Sequence, residues 1–166
     1  MVVANLLKFA FSGTGLWPWL FPVTYLVHIA EEYWGGAGFS AHAAQERGIN
    51  FSPRRFLLLT GLGALLMIAG ITLAQSFKFP QLLLVIFGTV VLINSLSHSL
   101  SSLRKGKYNP GLISAVLLWL PLGAITLFSL RSGMTGQRYA CAVAIGIGIH
   151  AVVSWLALRG ERIQTQ

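Results

Sequence analysis

The sequence predicts an all-α membrane protein, a bundle of about five transmembrane helices with the N-terminus outside and the C-terminus cytoplasmic. Three observations predict it. The first is composition. Of 166 residues, 55% are hydrophobic and 10% charged, and aspartate is absent. Mean hydropathy is +0.71, whereas a soluble domain carries roughly 25% charged residues. The second is a series of apolar runs, most of them close to the ~20 residues that cross a bilayer. The third is that the basic residues lie between or beside those runs. A net charge of +8 would suit a nucleic-acid binder only as a stripe or patch. Split up between apolar runs, it marks membrane flanks instead, so no nucleic-acid partner is expected.

The runs, in order, form one integral membrane domain over residues 1–166. Residues 1–12 read as an interfacial or partly inserted lead-in. A weak n-region and the lack of a small-x-small site predict no cleavable leader. Span one covers about residues 15–34, with Trp17 and Trp19 at one end and Tyr33 and Trp34 at the other, like two interfacial belts. Residues 35–52 form a glycine-rich cytoplasmic loop, a lid or a linker. Span two, about 55–74, follows Ser52-Pro53, a cap with proline in the first turn. Span three, 80–103, also starts at a proline. Span four enters through Asn109-Pro110-Gly111 and runs to about 130, with a kink expected at Pro121. Span five covers 138–158. Cys141, the single cysteine, has no internal disulfide partner, and no internal repeat is evident.

Five spans put the two termini on opposite sides. Arg47, Arg54, Arg55, Arg104, Lys105, Lys107, Arg159 and Arg162 share one face, whereas Lys8, Lys78, Arg131 and Arg138 share the other. The positive-inside rule makes the richer face cytoplasmic. A multi-pass protein of the plasma or inner membrane is expected.

Ionisable groups inside a span cost several kcal/mol unless paired, which makes each a functional candidate. Span one carries His28, Glu31 and Glu32, span three Asn94 and His98, and span five His150. These three spans run in the same direction, and each places a histidine in its cytoplasmic half. His150 is deeper than the others by ~5 Å at 1.5 Å per residue. His28 lies i,i+3 from Glu31 and i,i+4 from Glu32, so both carboxylates can flank the imidazole. Asn94 stands one turn before His98 and is placed to support it. Small residues in "NSLSHSLSS" of span three, and Gly146 and Gly148 in span five, allow close helix approach.

Imidazole nitrogen with carboxylate oxygen is the ligand set of zinc and non-haem iron. The expected metal ligands are His28, His98 and His150 with Glu31 or Glu32, the other glutamate serving as general base. A two-metal bundle site needs more carboxylates, so one divalent metal is expected, zinc in preference to iron. The plainer reading of His28, Glu31 and Glu32 alone is a polar helix end, and a lone His98 or His150 would read as a packing residue. Their shared depth argues for a common site. His42 reads as a solvated loop residue, Trp119 as a belt or packing group, and Gly61, Gly63 and Gly70 as packing contacts.

The motif His28-Ile29-Ala30-Glu31-Glu32 gives the chain a resemblance to the HXXEE-domain proteins, small multi-span membrane proteins of uncharacterised function. "NSLSH" in span three, "KYNPG" and "LWLPLG" around span four, and the glycine-flanked His150 extend it over roughly residues 20–155. The resemblance implies a membrane His/Glu site and no particular activity. The function expected from the residues is metal-dependent, hydrolase-type chemistry on a lipid or other apolar substrate. A proton- or cation-coupled transporter, a non-haem iron oxidase or desaturase, and a haem binder are the alternatives. The bilayer is the expected partner, and oligomerisation stays open.

Overall fold

The computed structural model describes residues 15–36, 38–77, 80–159 and 161–162. The lead-in at 1–12, with Lys8, and the basic Lys78 lie outside the described residues. The described chain is helical apart from one two-residue strand pair: α1 (Trp17–Trp34), α2 (Gly38–Arg47), β1 (Ile49–Asn50), α3 (Pro53–Ser76), α4 (Pro80–Lys105), α5 (Leu112–Leu130), α6 (Gly136–Leu158) and β2 (Glu161–Arg162).

Among the described residues, four stretches are long and apolar enough to cross a membrane: Pro53–Ser76, Gln81–Lys105, Leu112–Leu130 and Gly136–Ala157. They mark the chain as a membrane protein. Their outward faces carry exposed leucine, isoleucine and valine, such as Leu58, Leu65 and Leu66 on α3 and Val152 and Val153 on α6. Such a surface is stable against lipid tails and not against water. The first span is less apolar. With 18 residues, α1 rises ~27 Å at 1.5 Å per residue, and His28, Glu31 and Glu32 interrupt its apolar run.

Local rules set the boundaries. Ser52 caps α3, its Oγ accepting from the Arg55 N–H at 3.2 Å, and Pro53 fills the first turn. Thr135 caps α6 through the Arg138 N–H at 3.4 Å. The turn Asn109-Pro110-Gly111 precedes α5 and is not part of it, because Gly111 adopts a left-handed φ of 91°. The kink expected at Pro121 takes the form of a π-helical turn over Ala115–Trp119. Proline has no N–H for the carbonyl one turn back, so the helix widens ahead of it.

The loop expected at 35–52 is mostly ordered structure. α2 packs on α1, with Ala43 joining Phe51 and Phe56 in a small apolar cluster under Phe39 and Tyr33. β1 then pairs antiparallel with β2, Ile49 opposite Arg162 and Asn50 opposite Glu161.

α4 is central, packing along α5 and α6 and also touching α1 and α3. Gly146 lies where a Cβ would meet Thr89 Cβ at 2.7 Å and the Ile86 carbonyl at 2.9 Å, so α6 approaches α4 closely there. Gly148 has nothing near it and plays no such part. The main core gathers Phe21, Ile71, Leu84, Val85 and Trp119. Arg55 Nη2 donates to the Leu156 carbonyl at 3.0 Å, joining the start of α3 to the end of α6. With the β pair, this brings Arg54, Arg55, Arg104, Lys105 and Arg159 to one end of the bundle. That end also holds the polar residues of α1 and α4.

Candidate metal centre

Three elements meet at that end: the last two turns of α1, the last two turns of α4, and the turn that starts α5. They bring together His28, Glu32 and His98, all of them buried, with His28 only 1% exposed. One ligand atom from each lies within 4.8 Å of the others. The Glu32 carboxylate Oε1 is 3.4 Å from His98 Nε2 and 3.7 Å from His28 Nε2. Hydrogen bonds between such atoms are normally about 2.7–3.2 Å, so neither contact is a well-formed one. Two donors about 2.0–2.1 Å from a tetrahedral ion stand about 3.3–3.4 Å apart. The two distances to Glu32 are therefore close to those between ligands around one ion, all three ligand atoms lie within 4.8 Å of one another, and two imidazoles with one carboxylate are a donor set that suits such an ion.

The side of His28 facing away from the trio is tightly held. Its ring stacks on Trp119 with centroids 3.8 Å apart, and Trp119 Nε1 donates to Thr24 Oγ1 at 3.2 Å. The π-helical turn ends at Trp119 and brings it over the ring. His28 Nδ1 is 2.9 Å from Ser114 Oγ, and Ser114 Oγ lies 2.5 Å from Glu31 Oε2. A contact that short to a carboxylate needs a proton between the atoms, and serine has one to give. Ser114 Oγ therefore donates to Glu31 and accepts from His28. This places the imidazole proton on Nδ1 and leaves a bare lone pair on Nε2, a buried atom with no partner in the chain among the described residues. Metal-bound histidines are fixed in this way, the second nitrogen donating to an acceptor behind it.

Glu31 lies outside the trio. Its Oε1 accepts from Tyr108 OH at 2.7 Å and from the Ile113 N–H at 2.9 Å. Its Oε2 accepts from the Ser114 N–H at 2.6 Å as well as from the hydroxyl. Glu31 thus caps the N-terminus of α5 from a neighbouring helix, where free N–H groups and the helix dipole favour an anion. Four donors leave it neither a free lone pair aimed at the trio nor the character of a base. Glu31, expected as ligand or general base, thus stands outside the cluster that could hold an ion. The Tyr108 hydroxyl, held against the Gly35–Gly36 turn, has its pKa pushed up to about 12, first by burial of that end of the ring and then by the Glu31 charge it donates to.

Gly111 closes the trio from the α5 side. A Cβ there would meet His28 Cε1 at 2.8 Å, Glu32 Cγ at 2.9 Å and His98 Cε1 at 3.0 Å, so the backbone lies directly on the three side chains.

Of the remaining expected residues, His150 does not join. Its Nε2 lies 3.3 Å from Ser154 Oγ on its own helix, and it is not in the cluster that could hold an ion. Asn94 stands one turn before His98, and both Asn94 Oδ1 and His98 Nδ1 are buried without a partner among the described residues. His42 lies on α2, away from the trio. Ser114, Tyr108, Gly111 and the stacking of Trp119 were not anticipated as site features. "KYNPG" entered the sequence reading as the way into span four and as part of the family resemblance, with no role at the site, and a serine in an apolar span carries no signal of its own.

No curated protein and no solved structure matches the chain. A family model described as "Protein of unknown function with HXXEE motif" matches residues 19–126. That stretch contains His28, Glu31, Glu32, Asn94, His98, Tyr108, Gly111 and Ser114, and it stops short of His150. On a match of this extent, the chain belongs to the HXXEE family.

Proposed function

We propose that the protein is a multi-pass membrane metalloenzyme whose single divalent ion is held by His28 Nε2, His98 Nε2 and Glu32. The single observation that carries this reading is the buried trio with its ligand-like spacing and the His28 lone pair aimed into it. Three protein donors are the count found in catalytic zinc sites, which keep one position for water or substrate, whereas structural sites use four. Bound there, a divalent ion supplies a Lewis acid that polarises a carbonyl or phosphoryl oxygen and activates water. Zinc and hydrolytic chemistry on a lipid or other apolar substrate are the preferred assignment.

The chain's own groups fit this chemistry. Glu31 and Ser114 hold the His28 proton on Nδ1, so Nε2 stays free to ligate. Trp119 and Gly111 fix the ring plane and exclude bulk water from two sides. Glu32 supplies negative charge between the two imidazoles. We place α1 as a fifth span, the N-terminus outside, and the basic end with its site at the cytoplasmic leaflet. Lipid substrates would then be drawn from the surrounding bilayer.

Two histidines with one carboxylate also form the non-haem iron triad, which makes an iron oxidase or desaturase the second reading. Haem is disfavoured because Gly111 leaves no room for a porphyrin beside His28. Transport is disfavoured by the apolar core around Phe21, Leu84 and Val85. The test is incubation of the purified protein, in nanodiscs loaded with zinc or with ferrous iron, with lipid extract under argon and in air, read by mass spectrometry. Water-dependent cleavage present in the wild type and lost in His98→Ala supports the hydrolase. Products that require iron and oxygen replace it with the second reading, and no metal-dependent product under either condition overturns the enzyme reading.

A further inference from the structure

The two histidines of the trio are held differently from behind. His28 Nδ1 meets the Ser114 hydroxyl, with the Glu31 carboxylate beyond it. His98 Nδ1 is buried with no partner among the described residues, and so is Asn94 Oδ1, one turn earlier on the same helix. A buried polar atom left unpaired costs about 1–3 kcal/mol, and such atoms in native proteins almost always find a partner. Both atoms are closed to water, so the partner has to come from the chain.

The two orphaned atoms match each other. His98 Nε2 faces Glu32 Oε1 at 3.4 Å. With Nε2 given to an ion, a neutral imidazole carries its one proton on Nδ1 and needs an acceptor there. Asn94 Oδ1 is an acceptor that lacks a donor. Helical side chains lean toward the N-terminus and lie over the residues three and four back. The ring of His98 therefore leans toward Asn94 and away from Ser102, whose buried Oγ is unpartnered one turn later. The end torsion of an asparagine side chain is broad, so turning the carboxamide brings it toward Nδ1 with the helix unmoved. A carboxamide also offers a donor, so Asn94 can meet Nδ1 whether or not the proton is there.

We propose that Asn94 is the positioning residue of His98: its Oδ1 accepts from His98 Nδ1–H, holds the proton on that nitrogen, and leaves Nε2 bare beside Glu32. It does for His98 what Ser114 and Glu31 do for His28, with a neutral acceptor in place of a charge-assisted chain. The two imidazoles are then unequal donors, and His28, backed by a carboxylate, is the more basic of them. Asparagine also supports the ring without adding a further buried charge beside Glu32. The benefit to ion binding rests on the metal-centre reading, whereas the pairing of Asn94 with His98 does not.

Solid-state nuclear magnetic resonance of the protein in lipid, with isotope-labelled histidine rings and asparagine carboxamides, tests the pairing. The expected result is a histidine Nδ1 within about 4 Å of an asparagine carboxamide carbon, with and without zinc, and lost in Asn94→Leu. In the zinc-loaded protein that Nδ1 should resonate as a protonated nitrogen. Zinc affinity by chelator competition reads the positioning role. Asn94→Leu, similar in volume but without an acceptor, is expected to bind zinc about 10–100-fold more weakly. Asn94→Asp, which keeps the acceptor, is expected to bind within about threefold of the wild type or more tightly. No such contact, or an unprotonated Nδ1 in the loaded protein, overturns the pairing. A contact accompanied by unchanged zinc affinity in Asn94→Leu overturns the positioning role. A wild type that binds no zinc overturns the metal-centre reading instead, and the contact in the metal-free protein still decides the pairing.

Discussion

Ser114→Ala removes one oxygen atom and separates the role of Glu31 as a helix cap from its role behind His28. The Ser114 and Ile113 N–H bonds to Glu31, at 2.6 and 2.9 Å, survive the change, as does the Tyr108 bond at 2.7 Å. What disappears is the link from His28 Nδ1 through the hydroxyl to the carboxylate. Loss of a charge-assisted hydrogen bond costs roughly 1.5–3 kcal/mol, and leaving a buried donor unpaired costs about 1–3 kcal/mol. His28 is 1% exposed, so water does not readily replace the lost acceptor. The imidazole is then free to carry its proton on either nitrogen, and placing it on Nε2 blocks the metal. Removal of such a supporting acceptor weakens metal binding by about 10–100-fold. The assay is zinc affinity by competition with a chromophoric chelator in detergent, with thermal unfolding of the metal-free protein in parallel. The expected result is a lower melting temperature and a 10–100-fold weaker affinity. Tyr108→Phe, which touches only the cap, leaves affinity within about threefold. Zinc affinity unchanged in Ser114→Ala, or weakened equally in Tyr108→Phe, would refute the reasoning.

Two further predictions concern the turn that covers the site. Gly111→Ala combines a left-handed backbone, costing roughly 1–2 kcal/mol for other residues, with overpacking of about 1–3 kcal/mol against three ring and chain carbons within 3.0 Å. Chemical unfolding in detergent should show a loss of roughly 2–5 kcal/mol, and a loss below ~1 kcal/mol would mean the turn does not rest on the trio. The Tyr108 hydroxyl, raised to about 12 by burial and by Glu31, stabilises the fold fully below the ordinary tyrosine value of ~10, and that contribution is lost as pH rises through the folded value. In an ultraviolet phenolate titration, the difference between wild type and Tyr108→Phe should therefore have a midpoint near 12. A midpoint near 10 would show that the hydroxyl does not donate to Glu31.

The apolar helices were legible because a bilayer span is a property of composition and length, and their caps followed from Ser52-Pro53 and the turn at Asn109. His28 and Glu32 were legible as a pair because four residues bring side chains to one helix face. The division of labour between Glu31 and Glu32 was not. The two differ by one residue, or about 100° around α1, and what decides between them is the position of the α5 N-terminus, a tertiary fact. Ser114 was hidden for the same reason, since its role exists only once two other helices lie beside it. His150 was read with the trio because three helices running the same way each carry a histidine in the same half, but direction alone does not bring three side chains together, and the cluster contains only His28, Glu32 and His98. Residues 35–52 read as loop because glycine and polar residues dominate it, yet Phe39, Phe51 and Phe56 give α2 a small core to pack on.

The most direct test of the central claim is the metal content of the purified protein, measured by inductively coupled plasma mass spectrometry after zinc loading and removal of free ion. One tightly held metal per chain is predicted for the wild type and for His150→Ala, and none for Glu32→Gln or His98→Ala. A wild type that retains no metal, or a His98→Ala variant that retains as much as the wild type, would contradict the account.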